Sequence, residues 1–259
     1  MRWLEEGTGP PVVLVHGIPT SPDLWRYVAP RVRGARTLAW EMVGYGDSMA
    51  AGEGRDISVA RQADYLASWL THLDIPRVVL VGHDLGGGVV QILAANRSDL
   101  VAGLVLTNAI GYDSWPIPSV KAMRASGGVL RHLPPALLTA GLRTLFARGH
   151  DDSRMAAESA RIHLSRYRQP VGPEALVRQI RALHVDDTRS VQDALPRLNV
   201  PAAVVWGEAD QFQKLRYGER FAHDLGAPLR RIHGGKHFTP EDHPHEVAAA
   251  VGDVVAEAF

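Results

Sequence analysis

The chain has 259 residues, 46% of them apolar and 22% charged, which suits one globular domain with room for an insertion. Its 28 basic and 28 acidic side chains cancel to a formal net charge of zero, arguing against a nucleic-acid partner, because such domains carry a basic excess. The absence of cysteine excludes disulfide scaffolds, zinc–thiolate and Cys-ligated iron–sulfur sites, and a Cys nucleophile. The opening Met1-Arg2-Trp3-Leu4-Glu5-Glu6 has acids where a signal peptide needs an apolar stretch. No apolar run approaches the ~20 residues of a membrane span. The expectation is a cytoplasmic protein with no membrane partner.

In chain order, residues 12–15 (Val-Val-Leu-Val) predict a buried strand that stops at His16-Gly17. A helix is expected next, from Ser21 as N-cap through Val32. Residues 37–40 form a second strand. Val59, Ala63, Leu66, Leu70 and Leu73 follow at intervals of 4, 3, 4 and 3, one apolar stripe of a helix. Residues 78–81 are a strand ending at Gly82, and residues 86–96 a helix packed through small side chains. Strands are expected at 104–106, 202–206 and 229–232, and an Ala/Val-rich helix at 247–259. Strand and helix alternate, and the strand runs are continuously apolar. This predicts an α/β fold whose mostly parallel, doubly wound sheet has helices on both faces; six strand runs are read, and a sheet of about seven strands is expected.

Residues 111–189 break that rhythm. They hold Pro116, Pro118, Pro134, Pro135, Pro170 and Pro173 among helical patches such as 136–147, with no strand-like run. They read as a helical cap inserted into a core formed by residues 1–110 and 190–259. Over residues 111–190, 12 basic side chains against 7 acidic ones give +5. A solvated Arg-rich surface accounts for this more simply than a lid attracting anionic substrates.

The strongest local pattern is Gly82-His83-Asp84-Leu85-Gly86 between a strand and a helix. This is the nucleophile-elbow arrangement with Asp84 in the nucleophile position. A sharp strand-to-helix turn strains the central residue and leaves no space for side chains at the flanking glycines. It also lifts the carboxylate to a helix start, where N–H groups are free and the dipole is positive. As an isolated string it would more often be a helix cap. Other segments complete a set. His16-Gly17-Ile18-Pro19 can aim the Ile18 N–H at the same point as that of Leu85, forming an oxyanion hole. His237 stands in the Gly234-Gly235-Lys236-His237 loop after the last strand. Asp210 follows the penultimate strand, with Glu208 as a weaker substitute; Asn108, closing an earlier strand, cannot serve as an acid. His243 and His245 read as surface residues.

Together these segments resemble the α/β-hydrolase superfamily, in which nucleophile, acid and His follow in that order. More narrowly, the chain is similar to the branch of epoxide hydrolases and haloalkane dehalogenases whose nucleophile is Asp. The likeness runs through residues 16–19, Gly44-Tyr45-Gly46-Asp47-Ser48, the elbow, residues 206–210 and the His237 loop. The family's outermost N-terminal strand is expected to be shortened or missing. The resemblance implies that Asp84 attacks a saturated carbon to give an alkyl ester. His237, oriented by Asp210, then activates water, with the oxyanion between the N–H groups of Ile18 and Leu85. It implies a small-molecule substrate and no metal or organic cofactor; oligomeric state is unreadable.

Two departures bear on substrate. Haloalkane dehalogenases hold the halide with a Trp after the nucleophile, where this chain has Leu85, and the third oxyanion-loop position is Ile18. Epoxide hydrolases protonate the opening oxygen with cap tyrosines, and Val177 falls where one would stand. Candidate cap donors are Tyr167, foremost because it is a phenol, then His132, His163, Tyr112 and the Trp115 indole. Epoxide hydrolysis is ranked narrowly ahead of haloalkane or haloacid dehalogenation. A non-catalytic, ligand-binding member of the superfamily is the third reading.

Overall fold

The computed structural model describes residues 2–259. Seven strands are present: β1 (Trp3–Glu6), β2 (Pro11–Val15), β3 (Arg36–Trp40), β4 (Val78–Asp84), β5 (Val101–Ala109), β6 (Ala202–Gly207) and β7 (Leu229–Ile232). They form one sheet in the order β1-β3-β2-β4-β5-β6-β7. Only β1 runs antiparallel to its neighbour. The outermost N-terminal strand is therefore present but reduced to four residues.

Helices α1 (Val59–His72) and α2 (Leu85–Asn96) flank β4. Between β5 and β6 come α3 (Pro118–Ala125), α4 (Gly127–Leu130), α5 (Pro135–Gly149), α6 (Ser153–His163), α7 (Gly172–Arg181) and α8 (Asp186–Arg189). The chain closes with α9 (Leu215–Asp224), α10 (Thr239–Asp242) and α11 (Pro244–Ala258). Pro118, Pro135 and Pro173 stand in the first turns of α3, α5 and α7, where a missing N–H costs nothing and the fixed φ already suits the helix.

Alternate side chains of the central strands enter two apolar clusters. Leu80, Leu106 and Trp206 pack on one face with Leu66, Val89 and Phe221 from α1, α2 and α9. Val79, Val81 and Val105 pack on the other with Trp25 and with Val247 and Val251 of α11. Every residue of β4 and β5 is buried, and cover on both faces explains the apolar run Val78-Val79-Leu80-Val81 that opens β4.

Residues 21–32 depart from expectation. The predicted helix is replaced by two 3₁₀ turns, Pro22–Trp25 and Ala29–Arg31. Pro30 has no N–H to continue a helix. The Ser21 hydroxyl does not cap; it bonds Asp23 and His163 instead.

Candidate active site

Asp84 closes β4 and precedes α2 with φ +50° and ψ −120°, a strained conformation for a residue with a side chain. The backbone around it is packed too tightly for anything but glycine. A Cβ on Gly82 would lie 2.5 Å from the Gly86 carbonyl oxygen, and one on Gly86 would lie 2.1 Å from that of Val15. A Cβ on Gly17 would strike the Asp84 carboxylate itself, at 2.4 Å from Oδ1. The Ile18 N–H donates to Asp84 Oδ1 at 3.0 Å, and the Leu85 N–H also favours the charged carboxylate. Burial raises the Asp84 pKa, and the opposing pull of His237 and these two N–H groups does not cancel it.

His237 follows β7 and presents Nε2 at 3.7 Å from Asp84 Oδ2, too far for a direct hydrogen bond. Its Nδ1 lies 2.8 Å from Asp210 Oδ2. A carboxylate accepts only, so the neutral ring carries its proton on Nδ1 and turns the Nε2 lone pair toward Asp84. Burial pushes the His237 pKa down, but Asp210, by charge and hydrogen bond, and then Asp84 raise it on balance. Asp210 is held by the N–H groups of Phe212 at 2.6 Å and Gln213 at 3.1 Å, both on Oδ1.

A cavity lies over this group. Asp84, Leu85 and His237 line it together with Ile110, Val120, Met123, Leu142, Leu176 and Ile180. It is mostly apolar, and no Lys or Arg lines it, so the excess positive charge of residues 111–190 does not face the carboxylate. Arg166, for example, pairs with Asp23 and Asp47. Among the described residues no group of three or more His, Asp or Glu side chains is arranged to hold a metal. No helix there is long and apolar enough to cross a membrane.

Residues 10–244 match the family described as alpha/beta hydrolase fold. The chain belongs to that family. It is a hydrolase of the α/β-hydrolase type, related to haloalkane dehalogenases. Haloalkane dehalogenase 2 of Mycobacterium tuberculosis is 28% identical over 263 residues, covering 97% of this chain and 90% of that protein. A crystal structure of an α/β-hydrolase fold protein from Burkholderia ambifaria has a TM-score of 0.88 at 26% identity, covering 97% of this chain and 93% of that one. The epoxide hydrolase CorEH shares the fold, with a TM-score of 0.79 at 22% identity and 98% and 94% coverage.

Within this α/β-hydrolase, Asp84, His237, Asp210 and the N–H groups of Ile18 and Leu85 come together. The cap candidates do not. The Tyr167 hydroxyl is buried and donates to Gln179 Oε1 at 2.7 Å, and Tyr167 does not line the cavity. Tyr112 bonds Asp224 at 2.8 Å. His132 is exposed beside Arg131. His163 is enclosed between Ser21 and Glu241. Trp115 alone lines the cavity, but its indole N–H is already given to Thr188 Oγ1 at 2.8 Å. Glu208 faces His233, away from His237.

Three supporting residues escaped the sequence reading. Asn108 Nδ2 donates to Asp210 Oδ2 at 2.7 Å, while its Oδ1 accepts from the Gly207 N–H and the Thr239 hydroxyl. His83 Nε2 donates to the His237 carbonyl at 2.9 Å, and burial holds its ring neutral. Gly149, at the end of α5, accepts from the N–H groups of His237 and Phe238, fixing the catalytic loop to the inserted helices. Only His83, next to the elbow, stood beside a signal in the sequence.

Proposed function

We propose that Asp84 displaces a leaving group from a saturated carbon and that the resulting alkyl ester is hydrolysed by water activated at His237. One observation carries it: a carboxylate, not a hydroxyl, occupies the strained elbow, with Oδ1 accepting from the Ile18 N–H and Oδ2 facing His237. Oδ2 bonds the carbon as the leaving group departs with the bonding pair. His237 Nε2 then takes a proton from water, and the hydroxide oxygen adds to the Asp84 carboxyl carbon. Negative charge develops on Oδ1, to which the Ile18 N–H already donates. Collapse expels the alcohol, which takes the proton held by His237, and the acid left on Asp84 gives its remaining proton to His237 and on to solvent, restoring the carboxylate.

The leaving group this cavity suits best is halide. Epoxide opening asks for a proton on the departing oxygen, yet no tyrosine lines the cavity and the Trp115 N–H is engaged. Halide leaves without a proton. The full-length likeness to haloalkane dehalogenase 2 supports the same choice. A non-catalytic role fits poorly with a triad assembled at these distances.

The test is intact-protein mass spectrometry of His237→Gln with 1-bromobutane and, separately, styrene oxide. The expected result is a mass gain equal to the butyl group, mapped to Asp84, with bromide released. A gain equal to the whole epoxide, from that reagent alone, would move the substrate class to epoxides. No adduct from either overturns the alkyl-ester scheme.

A further inference from the structure

Gln213 stands three residues beyond Asp210. Its backbone is held at both ends: the N–H donates to Asp210 Oδ1 at 3.1 Å and the carbonyl accepts from Trp206 Nε1 at 3.0 Å. The residue is among those lining the cavity that also holds Asp84 and His237. The residue is 2% exposed, and Oε1 is buried with no hydrogen-bond partner among the described residues. Both hydrogen bonds that Gln213 makes there use its backbone.

A buried carbonyl oxygen left unpaired is destabilising, and folded proteins rarely keep one without a use for it. The other polar side chains lining the cavity are fewer than the apolar ones and differently placed. Asp84 and His237 belong to the reaction, the Trp115 N–H is engaged, and Ser119 is only half-buried. The two ends of a carboxamide are nearly equal in volume, so a half-turn about its last bond exchanges C=O and NH₂ without repacking.

We propose that the Gln213 carboxamide is the leaving-group site, its NH₂ donating to the halide as the carbon–halogen bond breaks. This rests on the displacement reading above. The Asp84 Oδ2–carbon bond forms, the carbon–halogen pair passes to the halogen, and the halide leaves as an anion bonded to an amide that keeps its protons. A neutral donor suits halide. It stabilises charge that exists only as the bond breaks and, carrying no charge of its own, does not retain the product. It also accounts for Leu85 standing where a halide-binding Trp would be expected.

Alkylation is read in the His237→Gln background, where the ester accumulates. Rapid-quench mass spectrometry with 1-bromobutane compares His237→Gln alone with the same protein carrying Gln213→Met, which keeps length and volume but has no donor. Alkylation is expected to slow by about 10- to 100-fold, the loss of one hydrogen bond to a charged partner. Gln213→Glu, of the same shape but anionic, should slow it at least as much, and serves if the Met variant does not fold. Decay of the ester in Gln213→Met with His237 intact should stay within about twofold of wild type, because the halide has already gone. A role limited to holding Asp210 would slow that second step as well, and such a result overturns the proposal. Equal alkylation rates with and without Gln213 overturn it and leave the Asp84 scheme standing. Absence of any adduct in His237→Gln itself overturns both.

Discussion

Asn108 is the penultimate residue of β5, at φ +40°, a left-handed conformation that Asn tolerates better than most residues. From there one amide serves three partners: Asp210, the Gly207 N–H and the Thr239 hydroxyl. It fixes Asp210 to the sheet and the His237 loop to Asp210. Asn108→Ala removes all three bonds and puts Ala where φ is unfavourable. Urea unfolding should show a loss of about 2–4 kcal/mol, and ester hydrolysis should slow as Asp210 loses its anchor; a loss below about 1 kcal/mol would contradict this account. In the sequence, Asn108 was legible only as a residue unable to be the acid. Its task depends on Asp210, 102 positions away, and no local spacing encodes that. The cap tyrosines show the same limit. Tyr167 has the right functional group, but its hydroxyl is directed to Gln179, and side-chain direction in a helical insertion is set by packing.

At the scale of elements, the β4–α2 turn is the most demanding piece of backbone in the molecule. The Cβ that Gly86→Ala would add meets the carbonyl oxygens of Val15 and His16 at 2.1 and 2.6 Å. Main-chain atoms cannot rotate away, so either β2 or α2 must move. Thermal and urea unfolding should show a loss of about 3 kcal/mol or more, or no folded protein. Gly128→Ala is the control. Gly128 lies inside α4 with nothing within 4 Å of the added Cβ, so stability should change by no more than about 1 kcal/mol, in the favourable direction. Similar losses at both sites would refute the steric account of the elbow. This element was fully legible, because steric need selects glycine at fixed offsets from one acid. Residues 21–32 were not: Ser21 has the chemistry of an N-cap, and a tertiary partner, His163, takes its hydroxyl.

Across the whole molecule, a buried ionic group joins the core to the inserted helices behind the catalytic loop. Glu241 of α10 pairs with Arg26 and lies 3.2 Å from both His163 and His150; Ser159 donates to it at 2.6 Å. His150 also bonds Asp242 at 2.9 Å and stacks on Phe238, centroids 4.5 Å apart. Burial works against the charged imidazole, but Asp242 and Glu241 outweigh it and push the His150 pKa up to about 9, from an ordinary 6.5. A raised pKa stabilises the fold fully below the unfolded value and stops doing so as pH rises through the folded one. The stability lost in His150→Gln should therefore be greatest below pH 6.5 and shrink between pH 6.5 and 9. Urea unfolding of both proteins at pH 6, 7.5 and 9 checks it; a difference independent of pH would show that His150 is not a buried cation. His16, whose burial lowers its pKa to about 3, acts with the opposite sign but equally in both proteins, and cancels.

The sequence alone determined the α/β alternation, six of the seven strands, the elbow and the order of Asp84, Asp210 and His237. Each of these is written in short-range signals: apolar runs long enough for a strand, a stripe with helical period, and glycines where a Cβ would strike backbone. Only the tertiary structure decided which side chains face the cavity and which residues hold the triad. Tyr167 turned to Gln179, and Asn108, His83 and Gly149 became the supports of the His237 loop. Those outcomes depend on packing between segments far apart in the chain, where a hydrogen-bond partner is chosen by proximity that no local pattern records.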